Sequence, residues 1–306
     1  MNRKTFEEIA ALWLSDKKQY VKKSTYCAYS LIVSNHILPA FSGVDDLTED
    51  CVQAFALAKL AAGLSRKSVV DILMVLKMIR RYAVKHGYVE HCDIKMRFPV
   101  EYEQHEVAPL NMADQRCIME YVRHHVTFMN LGIYICLCAG LRVGEVCALK
   151  WEDVDFKAGT IRVCKTLQRI YVKEGHPHTE VMIGTPKSRS SIREVPIARD
   201  LMNMIKPLRN TINGNCYVLT NTFKPTEPRT CRNHYKALLK RLGIPYMKFH
   251  TLRHTFATRC VESRCDYKTV SALLGHADIR TTLNLYVHPD MTQKRKCVDQ
   301  MCRSLK

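Results

Sequence analysis

The chain has no run of eighteen or more apolar residues, so no segment reads as a membrane span. It shows no apolar leader: Met1 to Asp16 carries charge at helical intervals, the pattern of an amphipathic helix. A cytoplasmic location is therefore expected. Among its 14 cysteines there is no C-x-x-C pair, and no cysteine pair is followed by suitably spaced histidines. That argues against a structural zinc site. The cysteines sit mostly in apolar runs such as ICLCAG, which reads as buried reduced thiols and not as a disulfide framework. No G-x-x-x-x-G-K-[ST] loop is present to cradle a nucleotide, and no carboxylate cluster stands ready for a catalytic metal. No metal or cofactor is expected. Internal repeats and low-complexity segments are absent.

Positive charge is abundant. The formal net charge is +18. Positions 1–105 hold 15 basic and 12 acidic residues, whereas positions 106–306 hold 32 and 17. The excess thus lies in the later part of the chain, and a basic surface attracts polyanions, nucleic acid first.

The 306 residues are enough for two ordinary domains. The first hundred read as four helices. T-F-E-E at 5–8 resembles a capping box and is followed by Ile9, Leu12 and Trp13. A second helix is expected from Ser24 to about Asn35, then a turn at HILPAFSG (36–43), then a third helix from Thr48. In the fourth, Ser65 is the cap, Val69, Ile72, Leu73, Leu76, Ile79 and Ala83 form one apolar stripe, and Gly87 ends it. Together they suggest a small bundle. Lys22, Lys23, Arg66, Lys67, Arg80 and Arg81 decorate it, either as an ordinary solvated face or as contacts to a polyanion. RFPVEYEQHEVAPLNM (97–112) lacks periodicity and is read as a linker. Helices return at 113–125, 127–139 and 142–150. From 160 the β-branched texture of TIRVCKTLQRIYV and EVMIGTPKSRSSIREVPI suggests two or three short antiparallel strands. Helices follow near 198–209, 229–242, 251–263, 267–274 and 279–286, then a tail. The fold class is mainly α with a small antiparallel β-sheet.

Four stretches carry candidate chemistry. AGLRVGEVCALKW (139–151) puts Arg142 where one helix ends at Gly140 and the next begins, so its fork can meet an anion near backbone N–H groups. Glu145 shares its face and could hold the guanidinium; a surface i,i+3 ion pair explains the two equally well. GTPKSRSSIREVPI (184–197) puts Lys187 in a turn between strands, as a proton donor, a point charge or a plain exposed lysine. FHTLRHTFATRC (249–260) puts His250 and Arg253 on one helical face, with His254 turned elsewhere. LLGHADIRTTLNLYVH (273–288) gives His276 after Gly275 and Tyr286 ten residues on. Each is weak alone; their joint order and spacing are hard to assign to packing. Attack on a DNA phosphodiester builds charge on the non-bridging oxygens, which two arginines and two imidazoles would stabilise. A tyrosine hydroxyl can be the nucleophile. A covalent phosphotyrosine keeps the ester available, so rejoining needs no ATP.

At these residues the chain resembles the tyrosine recombinase (phage integrase) family. The resemblance covers about 105–290 through GLRVGEV, TPKS, HTLRHTFAT, LLGH and the terminal Tyr, and more loosely the first hundred residues, HILPAF included. It implies a helical core-site DNA-binding domain at 1–96, a linker at 97–112, an α/β catalytic domain at 113–290 and a tail at 291–306 that packs on a neighbouring protomer through Val298 and Met301. By the same resemblance Arg142 and Arg253 clamp the scissile phosphate, with Glu145 in support. Lys187 is the general acid, His250 assists proton transfer and His276 stabilises the phosphate. Tyr286 attacks to give a 3′-phosphotyrosine. The implied partners are double-stranded DNA, a homotetramer on paired sites and accessory DNA-bending proteins. The chain starts almost at the core-binding domain, without room for the arm-binding domain of larger integrases, which leaves integrase, invertase and resolvase all open. A catalytically inactive DNA-binding protein on the same fold and a type IB topoisomerase-like DNA relaxase are the alternatives.

Overall fold

The computed structural model describes residues 4–44, 47–90, 96–99, 108–172, 178–186, 188–286 and 291–304. The chain forms two units, one of residues 1–104 with 170–180, the other of residues 105–169 with 181–306.

The first unit is helical. Helix α1 (Phe6–Tyr20) opens on the expected capping box: the Glu8 N–H donates to Thr5 Oγ1 at 3.3 Å and the Thr5 N–H to Glu8 Oε2 at 2.9 Å. Helix α2 (Lys23–Ile32) runs through a π-helical turn (Val33–Ile37) into α3 (Leu38–Phe41). This replaces the turn expected at 36–43 down to Phe41. Proline lacks an N–H and crowds the carbonyl four residues back. The wide turn, in which the Leu38 N–H donates to Val33 O, lets Pro39 enter a helix without breaking it. Thr48 and Ser65 cap α4 (Glu49–Ala61) and α5 (Arg66–Lys85) as expected. The whole expected stripe of α5 is buried, against Phe6, Trp13, Ile37, Phe41 and Phe55.

The second unit is built around α7 (Phe128–Ala139), which follows α6 (Met112–His124). α7 has no charged residue and is buried over most of its length, as a helix apolar on every side must be. Leu110, inside the expected linker, is fully buried; its N–H donates to Thr255 Oγ1 at 2.9 Å and its carbonyl accepts from Arg259 Nη2 at 2.6 Å. Residues 100–107 of that linker lie outside the described residues. Helix α8 (Val143–Ala148) is followed by five strands: β1 (Val154–Asp155), β2 (Thr160–Val163), β3 (Thr166–Tyr171), β4 (Thr179–Gly184) and β5 (Arg193–Pro196). They form two small sheets, β1-β2-β5 and β3-β4, where the sequence suggested two or three strands. β2 and β5 are antiparallel, with Ile161 opposite Val195, both buried. Then come α9 (Arg199–Ile205), α10 (Pro228–Arg241), α11 (Thr251–Glu262), α12 (Tyr267–Leu274), α13 (Ile279–Tyr286) and α14 (Met291–Ser304). Among the described cysteines, five are buried as expected, but Cys51, Cys117, Cys265 and Cys302 are exposed. No described helix is long and apolar enough to cross a membrane.

Candidate active site

The site assembles where α7 and α12 end. α7 stops at Gly140, whose φ is 63° and where a Cβ would lie 2.5 Å from Phe256 Cδ1. Both facts demand glycine, and the turn it makes delivers Arg142 to the start of α8. Glu145 reaches back to it: the Arg142 backbone N–H donates to Oε2 at 2.9 Å and Arg142 Nη1 donates to Oε1 at 2.7 Å. Arginine has no side-chain acceptor, so this is half of a capping box, and Glu145 satisfies the helix end and the guanidinium together.

Arg253, on α11, is only 2% exposed. Its Nη1 donates to Gly140 O at 2.8 Å and its Nη2 to Leu274 O at 2.6 Å. These carbonyls belong to the C-terminal ends of α7 and α12, the negative poles of both helices, so the fold itself supports the buried cation. α12 ends at Gly275, with φ 65° and only 2.9 Å between an added Cβ and Ser190 O. His276 follows, and its Nδ1 is 2.8 Å from Oγ1 of the fully buried Thr282.

A third arginine enters from β5. Arg193 grips Glu145 with both arms of its fork, Nη1 to Oε1 at 3.2 Å and Nη2 to Oε2 at 3.0 Å. It also donates through Nε to Leu273 O at 2.6 Å and through Nη1 to Ser191 O at 3.1 Å. Burial pushes the Glu145 carboxyl up, but the Arg193 hydrogen bonds and charge, with those of Arg142, outweigh it and hold the group below the ordinary carboxylate value.

The imidazoles respond to this crowd of cations. His276 is pushed down to about 4 by loss of water and then by Arg253, Arg142, Arg193 and His250. His250, at the head of α11, is likewise pushed down to about 4 by loss of water, then by His254, Arg253 and Arg142. His254 packs edge-on against His250, with ring centroids 4.8 Å apart. Both site imidazoles are neutral at pH 7, and an arriving anion would raise their basicity.

Arg142, Glu145, Arg253, His250 and His276 thus share one neighbourhood, whereas Lys187 lies outside the described residues. Tyr286 closes α13 one turn after Thr282; its side chain is not among those described. Sequence reasoning missed Arg193 and Thr282. For Arg193 a signal existed: two residues before Val195, it shares the inward face of β5, where a cation needs an anion. Thr282 carried none.

The basic residues of the first unit do not converge. Lys22 and Lys23 stand at the start of α2, Lys23 paired with Glu180. Arg66 and Lys67 open α5, and Arg66 lies over the Phe98 ring at 5.1 Å. Arg80 and Arg81 follow about 21 Å further along that helix. All are exposed except the half-buried Arg80.

Residues 110–293 match the family model described as the Phage integrase family, and residues 5–57 match that of the Phage integrase N-terminal SAM-like domain. A tyrosine recombinase XerC-like protein of Caldanaerobacter subterraneus subsp. tengcongensis is 31% identical over 78% of this chain and 66% of its own length. The ICEBs1 integrase of Bacillus subtilis is 22% identical over 97% of this chain and 82% of its own. Among solved structures, the Tn1549 transposon integrase in complex with a circular intermediate DNA has the same fold, with TM-score 0.78, 20% identity and coverage of 97% of this chain and 99% of that one. A lambda integrase tetramer bound to a Holliday junction aligns with TM-score 0.66 and 15% identity, over 95% and 80%.

Proposed function

The chain belongs to the phage integrase family, and on that premise we propose that it is a site-specific DNA recombinase that cuts and rejoins DNA through a phosphotyrosine. One observation carries the reading: three guanidiniums and two neutral imidazoles share one neighbourhood, Arg142 and Arg193 held by the buried Glu145 carboxylate, Arg193 and Arg253 by backbone carbonyls, before any substrate arrives. Donors oriented in advance stabilise charge where it develops without reorganising during the reaction. Arg142 and Arg253 hold the non-bridging oxygens of the scissile phosphate, and His276, steadied by Thr282, adds a third donor. The Tyr286 hydroxyl attacks phosphorus and its proton passes to His250, which is unprotonated at neutral pH. The P–O5′ bond breaks, and Lys187 gives the leaving oxygen its proton. The products are a 3′-phosphotyrosine and a free 5′-hydroxyl. A 5′-hydroxyl from a second duplex reverses the step and completes exchange.

The partner is double-stranded DNA, held largely through phosphates by Lys22, Lys23, Arg66, Lys67, Arg80 and Arg81 together with the basic second unit. Strand exchange between two sites calls for four protomers. Val298 and Met301, exposed on α14, are suited to contact a neighbour. We propose a cytoplasmic location, in which such a protein would meet its DNA substrate. Neither a metal nor a cofactor enters the chemistry. The test is a nicked suicide duplex of the element's own end sequence. Wild type is expected to give a covalent protein–DNA band in a denaturing gel, and Tyr286→Phe none. A wild type that binds the duplex but forms no adduct would leave a DNA-binding protein without chemistry. Adducts on unrelated sequences, with relaxation of supercoiled plasmid, would point to a topoisomerase-like activity.

A further inference from the structure

We infer that Arg193 is a positioning residue that neutralises Glu145, and so leaves the charge of Arg142 available to the scissile phosphate. The inference rests on the reading of Arg142 as a phosphate clamp. Glu145 is buried to 2% and binds two guanidiniums at once, one half-exposed and one, on Arg193, only 6% exposed. If Arg142 were its sole partner, the carboxylate would cancel the cation that must attract an anion, at a distance of 2.7 Å and away from water. The second arginine changes the balance: the Glu145, Arg142 and Arg193 group carries a net positive charge, and the member facing outward is Arg142. Geometry fits this division. Arg193 takes both carboxylate oxygens, so the group is locked in one plane, while Arg142 takes one oxygen with its side chain and the other with its backbone.

Arg193 also joins segments far apart in sequence. Its Nε bond to Leu273 O sits next to the Arg253 bond to Leu274 O, and its Nη1 bond to Ser191 O lies where that segment meets Gly275. The ends of α8, α12 and β5 are therefore tied through one side chain that never meets the substrate. A lysine cannot reproduce four directed bonds, although it supplies the same charge.

The experiment measures two quantities for each variant: single-turnover cleavage of the suicide duplex at saturating DNA, and affinity for inorganic phosphate by titration calorimetry. Arg193→Met is expected to slow cleavage about 10²-fold, as loss of an oriented donor does, and to weaken phosphate binding. The double variant Arg193→Met with Glu145→Gln removes the uncompensated carboxylate and is expected to recover on the order of tenfold in both quantities, a coupling between neighbours. Arg193→Lys should fall between wild type and Arg193→Met. Losses that simply multiply in the double variant, or Lys and Met equally impaired, would overturn the inference and leave Arg193 a packing residue. Should Arg193→Met not fold, the Lys variant with and without Glu145→Gln decides: its phosphate affinity stays closer to wild type and changes little on removing the carboxylate if Arg193 acts by charge, and falls fully if it does not. A wild type that binds phosphate in this pattern yet forms no adduct would defeat the strand-transfer reading and not this one.

Discussion

Arg142 and Arg253, proposed to share one task, are positioned by two different means. Arg142 is held by a carboxylate at a helix start, and Arg253 by carbonyls at two helix ends. Replacing either by Lys keeps the charge but loses the planar fork, and cleavage is expected to fall on the order of 10²–10³-fold in single-turnover assays. The imidazoles give a pH prediction. Unfolded histidine titrates near 6.5, whereas His250 and His276 do so at about 4 in the folded chain. Between those values the unfolded chain binds protons that the folded one refuses, so stability falls as pH drops from about 6.5 to 4 and then levels off. Thermal melts of His276→Gln should show a shallower decline across that window than wild type. A phosphodiester beside these rings raises their basicity, so DNA binding should take up protons and tighten as pH falls, measurable as buffer-dependent heat. Among single residues, Arg142, Arg253, His250 and His276 were legible because each sits in a short stretch whose neighbours explain its placement. Thr282 was not, and Arg193 showed only its place on the inward face of a strand, because their partners lie 6 and 48 positions away and only the fold brings them close.

The elements meet the site at their ends, and glycine decides two of those ends. Gly140→Ala adds a Cβ where φ is 63° and Phe256 is 2.5 Å away. It should cost at least about 1–3 kcal/mol and slow cleavage, because the turn carries Arg142. Gly87→Ala, at φ 68° with nothing within 4 Å, isolates the backbone cost and should be the milder of the two in thermal denaturation. Most helices were readable from caps and stripes, as α1, α4 and α5 illustrate. The exception is instructive. Pro39 suggests a stop, but a stop is unnecessary when the preceding turn widens so that the missing N–H and the displaced carbonyl no longer conflict. The strands were undercounted because each β-branched stretch holds two short strands, β2 with β3 and β4 with β5, and because the two-residue β1 is recognisable only through its pairing with β2.

Across the whole molecule, the uneven charge is what the sequence announced first, and it sets the expected physics of binding. Contacts to six or more phosphates release counterions, so affinity for duplex DNA should drop about 10³-fold or more between 50 and 200 mM salt. A flat dependence would remove the phosphate grip. The mainly helical class followed from periodicity, and the family from five short motifs. The convergence of His250, Arg253, Arg142 and His276 required the turns at Gly140 and Gly275, whose geometry no periodicity encodes. On the proposed reading these side chains hold a phosphate. Whether a phenol uses it is decided most directly by trimming the DNA adduct with nuclease and locating the remaining nucleotide by peptide mass spectrometry. The nucleotide should be found on Tyr286, joined through its 3′-phosphate. Attachment to another residue, or through a 5′-phosphate, would contradict the mechanism.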